Sequence, residues 1–188
     1  MEAVLKLRRF VEPPAPKYEK CEMCGAPMEA AHRHVVDLSN RRLICACRPC
    51  YLLFTNRGAA GGRLRSVPQR YVKLPKIDLA EIPVGVVFFI RDSATDRVKA
   101  FYPSPAGATE STVSNESWAE MTGTAPQLAA LESDVEALLI SKNDSWIVPV
   151  DACYELVGRI KKTWRGFDGG SDAWREINGF FASLQEAE

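Results

Sequence analysis

The chain has 188 residues, 46% of them hydrophobic and 26% charged, and its 24 basic and 24 acidic side chains leave no net charge. This is the make-up of an ordinary globular protein of one large domain or two small ones, not of a disordered or fibrous chain. No apolar run approaches the ~20 residues of a membrane span and the N-terminal stretch has no signal-peptide core, so a cytoplasmic protein with reduced cysteines is expected.

Neutrality hides a split. Residues 1–77 carry 15 Lys and Arg against 6 Asp and Glu, whereas residues 78–188 carry 9 against 18. Either the first half meets an anionic partner, or the two halves face one another or simply differ in charge.

Residues 1–16 read as a basic, proline-rich tail. Residues 17–57 read as a small metal module. Five of the six cysteines and both histidines fall between Cys21 and Cys50, in CEMCGAPMEAAHRHVVDLSNRRLICACRPC. Cys21 and Cys24 form one C-x-x-C pair, and Cys47 and Cys50 form another. Two intervening residues allow a tight turn that aims both sulfurs at one point, and two such pairs complete a tetrahedron of thiolates. Gly25 suits the first turn because it tolerates positive φ. A segment so poor in apolar residues needs the metal, since a structural zinc site contributes on the order of 10 kcal/mol of folding energy. Adjacent C-x-x-C pairs make poor long-loop disulfide staples.

A knuckle, then strands, then a second pair opening a short helix at Tyr51–Phe54 is a treble-clef arrangement. It favours structural Zn2+ over a single Fe of the rubredoxin type, although four thiolates serve both. Cys45, His32 and His34 are spare donors. Alternation puts Cys45 and Cys47 on one strand face, and the pairing with Cys50 selects Cys47 as the ligand. His32 and His34 also share a face, as neighbours of the site or as surface groups. Paired C-x-x-C motifs with histidines on a strand and Asn40 between them partly resemble an HNH nuclease. However, Tyr51 stands where that family usually has a histidine after the second pair.

Residues 58–80 read as a glycine-rich hinge followed by an extended basic connector bearing Arg63, Arg65, Arg70, Lys73 and Lys76. Pro68 and Pro75 argue against helix there. Arginines beside Tyr71 suit an anion such as RNA, but the favoured reading is a solvated connecting strand.

Residues 81–188 read as an α+β domain. Val84 to Ile90 and Val98 to Tyr102 form a first hairpin, by β-branched and aromatic content around a polar turn. Pro103 to Asn115 reads as loop. Ser117 to Met121 and Gln127 to Leu131 are short helices. Ala137 to Ser141 and Ser145 to Val150 form a second hairpin. Two amphipathic helices follow. One is capped by Asp151 with a stripe of Cys153, Leu156, Val157, Ile160 and Trp164. The other is capped by Ser171 with a stripe of Trp174, Ile177, Phe180, Phe181 and Leu184. Their stripes pack on a sheet built from the hairpins. The intervening Gly166 to Ser171 reads as a turn and lacks the phosphate-binding fingerprints. This half has no histidine, its lone Cys153 lies on an apolar stripe, and the carboxylates Glu136, Asp144 and Asp151 form no recognisable catalytic group. The overall class is α+β: a zinc-knuckle module, then an antiparallel sheet packed against C-terminal helices.

Several blocks together resemble an uncharacterised bacterial protein family. They are the cysteine-rich run through Phe54, GAAGGRLRSVP, IPVGVVFFI, AFYPSPAGATES, DVEALLI, and WIVPVDACYELVGRIKKTWRGFDGGSDAWREINGFF. Members of that family resemble proteins encoded in nickel–iron hydrogenase gene clusters. The resemblance implies a role in hydrogenase assembly, electron delivery or regulation, and assigns no ligands. The expected function is therefore a zinc-binding accessory protein that binds a protein partner, such as a hydrogenase subunit or maturation factor, rather than a catalyst. The alternatives are a rubredoxin-like iron electron carrier and a nucleic-acid-binding, HNH-like zinc module.

Overall fold

A computed structural model describes residues 19–79, 85–166 and 169–186. The tail read at residues 1–16 and the start of the first hairpin before Gly85 lie outside the described residues, as do Phe167 and Asp168.

The N-terminal lobe begins with a ribbon of two short antiparallel strands, β1 (Glu19–Lys20) and β2 (Pro27–Met28). A three-stranded antiparallel sheet follows, ordered β4-β3-β5, from β3 (Arg33–Asp37), β4 (Arg42–Ala46) and β5 (Leu64–Ser66). Helix α1 (Arg48–Leu53) starts directly after Cys47, with a proline in its first turn where a missing N–H costs nothing.

The larger lobe is a six-stranded antiparallel sheet ordered β6-β11-β10-β7-β8-β9. Its strands are β6 (Val72–Leu74), β7 (Val86–Asp92), β8 (Arg97–Ser104), β9 (Gly107–Thr112), β10 (Glu136–Ser141) and β11 (Ser145–Pro149). Both expected hairpins form, β7–β8 and β10–β11, and they pair with each other through β7 and β10. Helices α2 (Asn115–Thr124), α3 (Val150–Thr163) and α4 (Gly170–Glu186) complete the lobe.

The central strands are apolar at successive positions because both faces of the sheet are covered. Alternate residues of β7 enter opposite cores, as the two-residue strand period requires. Val86, Phe88 and Ile90 join Leu139, Trp146 and Val148 beneath α3 and α4. Val87 and Phe89 join Leu138, Ile140 and Ile147 beneath Met121 and Leu128. The C-terminal helices therefore take one face as expected, and α2 with the short 3-10 turn at Pro126–Ala130 takes the other.

Some local readings need correction. The stretch read as loop after Tyr102 contains β9, an edge strand that pairs with β8 from Lys99↔Thr112 to Ser104↔Gly107. Its sequence, GATEST, has no apolar alternation because only Ala108 packs against the core and the residues from Thr109 on are exposed. Asp151 is not the cap of α3: Pro149 holds that position without a side-chain bond, and Asp151 lies inside the first turn. Helix α4 starts at Gly170, one residue before the expected cap. The connector read at 58–80 supplies a strand to each sheet. β5 pairs with β3, and β6 pairs with β11. Val36 and Val67 of the first lobe sit in the same apolar cluster as Val150, Leu156 and Ile160, so the two lobes share a core.

Candidate metal centre

The first knuckle is a backbone device. Cys21 N–H donates to Ala26 O at 2.8 Å and Gly25 N–H donates to Cys21 O at 2.8 Å. The turn closes through Gly25 at φ +75°, a conformation that a side chain would strain. The second pair sits at a helix start. Cys47 precedes α1, and its carbonyl accepts from Tyr51 N–H at 2.9 Å, which brings Cys50 back over Cys47 after one turn. Glu22 ties the two halves together. Its N–H donates to Cys45 O at 2.9 Å, and its carboxylate accepts from Cys45 N–H at 2.6 Å and from Arg42.

These elements bring Cys21, Cys24, Cys47 and Cys50 together, with all four sulfurs within 4.8 Å of one another. The Sγ atoms of Cys24 and Cys47 lie 3.6 Å apart. A disulfide needs about 2.05 Å. The sulfur–sulfur edge of a tetrahedron with metal–sulfur bonds of about 2.3 Å is close to 3.8 Å, so the set fits a four-thiolate site. None of the six cysteines is in a disulfide. The four thiols are electrostatically unequal. Burial raises Cys21, but hydrogen bonds to the backbone of Cys47, Cys24 and Met23 outweigh it and bring its thiol down to about 6. The Cys50 thiol is pushed up to about 12, first by the Cys47 sulfur and then by burial and the Cys24 sulfur. Four sulfurs this close do not all carry charge without a cation among them. The donor set is that of a metal site.

Cys45 lies apart from this set, on the face that carries the histidines. It stands directly opposite His34 in the β3–β4 ladder. Its Sγ and a ring nitrogen of each of His32 and His34 lie within 4.8 Å of one another. The Cys45 thiol is raised by burial and by Glu22.

The remaining sequence candidates have structural partners. Cys153 is fully buried, and burial pushes its thiol well above the ordinary range. Glu136, also fully buried, accepts from Arg70 Nε at 2.8 Å and Nη2 at 2.6 Å. Asp151 Oδ2 lies 2.8 Å from His34 Nδ1. Asp144 closes the β10–β11 turn through Ser141 Oγ at 3.1 Å. The glycine-rich link between α3 and α4 is bridged by Arg165 N–H donating to Gly169 O at 3.0 Å, as a turn requires.

The basic strip is occupied within the protein. Arg63 binds Asp37 through Nε at 2.9 Å and Nη2 at 2.5 Å. Arg65 bonds Glu132 at 3.0 Å and the Ser133 carbonyl at 2.9 Å. Arg63 and Asp37 lie in the same half, but Arg65 with Glu132 and Arg70 with Glu136 join the basic half to the acidic one, so the two halves face one another. The same holds for a cleft of about 450 Å3 that sequence reasoning missed. It is lined by Arg41, Asp92, Lys99, Phe101, Asp134 and Tyr154; Arg41 and Lys99 pair with Asp92 and with Glu110 beside it, and Asp134 lies 3.6 Å from Arg65.

Among the described residues no helix is long and apolar enough to cross a membrane. The class is thus an α+β protein whose N-terminal lobe carries a cluster of four cysteines close enough to hold one metal ion. The chain belongs to the family described as "Family of unknown function (DUF5947)", which it matches over residues 20–188. No curated protein and no solved structure matches it.

Proposed function

We propose that this protein is a zinc-stabilised accessory protein that docks on a protein partner, and that the partner is a subunit or maturation factor of a nickel–iron hydrogenase. The observation that carries the docking is on α1, the helix opened by the second cysteine pair. Leu52 and Leu53 are 54% and 64% exposed, the only large hydrophobic side chains that stand open among the described residues. A metal site that fixes a short helix with two leucines facing outward is suited to present them to another protein. The hydrogenase assignment rests on the sequence blocks that resemble proteins of such gene clusters. Zinc rests on the treble-clef order of knuckle, strands and helix.

Iron is the competing occupant, because the same four sulfurs suit a single ferrous or ferric ion. An iron-loaded protein is red and a zinc-loaded one colourless. The nucleic-acid reading is the weaker one, since Arg63, Arg65 and Arg70 are all committed to acceptors in the chain. The test of the proposal is co-purification from the native host of wild type and of Leu52→Glu/Leu53→Glu. Recovery of a hydrogenase subunit or maturation factor with wild type, and its loss with the variant, is the expected result. Equal recovery with both, or recovery of neither class of protein, contradicts the reading.

A further inference from the structure

The geometry points to a second metal site in the N-terminal lobe, a zinc-class divalent ion held by His32 Nε2, His34 Nε2 and Cys45 Sγ, separate from the four-cysteine cluster. The strand register builds it. His34 and Cys45 face each other across β3 and β4, and His32 lies two residues before His34, on the same side of the chain. The imidazole centroids are 4.9 Å apart, and one donor atom from each of the three residues falls within 4.8 Å of the others. A tetrahedral ion with bonds of about 2.0–2.3 Å needs donor separations of about 3.3–3.6 Å, so the side chains close in slightly on binding.

The second observation is the hydrogen bonding of the rings. His34 Nδ1 lies 2.8 Å from Asp151 Oδ2. His32 Nδ1 lies 3.2 Å from the Glu29 carbonyl and 3.1 Å from the Glu19 carboxylate. A carbonyl and a carboxylate accept only, so Nδ1 carries a hydrogen on both rings, and in the neutral imidazole Nε2 carries the lone pair. His32 Nε2 is buried and has no hydrogen-bond partner. A buried acceptor left unpaired costs about 1–3 kcal/mol, and a metal ion is the partner that two imidazole lone pairs and a thiol have in common. A carboxylate behind a ligating histidine is the usual outer support of a zinc site. Asp151 sits in the first turn of α3, where its Oδ1 accepts from Ala152 N–H at 2.9 Å while its Oδ2 turns to His34.

Two imidazoles and one thiolate leave a fourth position open. His32, His34 and Asp151 line a groove of about 610 Å3 whose wall also carries Gln69, Tyr71 and Glu155. Water or a small ligand completes zinc sites with three protein ligands. Because His34 is in the N-terminal lobe and Asp151 in the C-terminal one, occupancy of the site also fastens the two lobes together.

The test uses the full chain with the four-cysteine cluster already filled with zinc, titrated with Co(II) under anaerobic conditions. A second ion per chain is expected, with a sulfur-to-cobalt charge-transfer band of one thiolate. Cys45→Ser removes the band and weakens the second ion by about 100-fold, while the first ion stays. His32→Gln, which removes the imidazole donor, weakens it to a similar degree. Asp151→Asn weakens it by about 10–100-fold, and Asp151→Glu restores part of the loss. The proposal is overturned if wild type takes up one ion only, or if Cys45→Ser and His32→Gln bind the second ion as wild type does. Neither result bears on the zinc in the four-cysteine cluster.

Discussion

Removing Arg70 should destabilise the protein far more than its surface position suggests. Arg70 is 41% exposed, but the Glu136 side chain it pairs with is fully buried. Two of the three hydrogen bonds to that carboxylate come from Arg70 Nε and Nη2, and the third comes from Glu132 N–H at 2.8 Å. Arg70→Ala therefore leaves a buried negative charge with one backbone donor and no counter-charge. Breaking a buried pair from one side costs about 3–5 kcal/mol. Water reaching the carboxylate through the space vacated by an exposed guanidinium reduces this to about 2–3 kcal/mol. The double variant Arg70→Met/Glu136→Gln keeps an acceptor for Glu132 N–H and buries no charge, so it should lie within about 1.5 kcal/mol of wild type. Urea unfolding of the metal-loaded protein, with the m-value checked for constancy, measures all three chains. A cost below about 0.5 kcal/mol for Arg70→Ala, or a double variant as unstable as the single one, refutes the reasoning.

Three further outcomes are expected. Gly85→Ala should cost more than about 2 kcal/mol, because Gly85 has φ +68° and a Cβ there would lie 2.0 Å from Trp174 Cη2. Its thermal midpoint against that of Gly85→Ala/Trp174→Ala separates the clash from the backbone strain. Asp37 has its carboxyl held well below the usual range, first by Arg63 and then by Ser39. Its folded-state value is depressed, so its contribution is complete above the unfolded carboxyl value near about 4 and fades as pH falls below it. The stability gap between wild type and Asp37→Asn should accordingly narrow from pH 7 to pH 3 in denaturant titrations. Finally, duplex DNA or RNA should bind no better than to a neutral control protein at low salt, and neutralising Arg63, Arg65 and Arg70 should leave that unchanged; a salt-dependent affinity lost in the triple variant would revive the nucleic-acid reading.

What could be read from the sequence was local or periodic. The two C-x-x-C pairs carry their geometry in four residues each, and the run from Val86 to Ile90 and the stripe from Cys153 to Ile160 carry theirs in a repeat. What could not be read depended on partners distant in the chain. Strand β9 exists because β8 offers it a backbone ladder, not because GATEST favours extension. Arg65 and Arg70 looked like a free basic strip because Glu132 and Glu136 lie more than sixty residues away. Asp151 had the sequence position of a helix cap, but its carboxylate turns to His34 across the lobe boundary. Alternation placed Cys45 and Cys47 on one face, and the end of β4 then separates them. Cys45 stays in the ladder beside the histidines, while Cys47 turns with α1 toward the other three sulfurs.

The most direct test is the zinc content of protein purified from cells without added metal and dialysed against a weak chelator, for wild type, Cys47→Ser and Cys45→Ser. At least one tightly held zinc per chain is predicted for wild type and for Cys45→Ser, and the loss of that ion for Cys47→Ser, with the N-terminal lobe losing protease resistance as the ion is lost. A wild-type chain that keeps its folded N-terminal lobe with no metal bound, or a Cys47→Ser chain that retains as much zinc as wild type, would contradict the account.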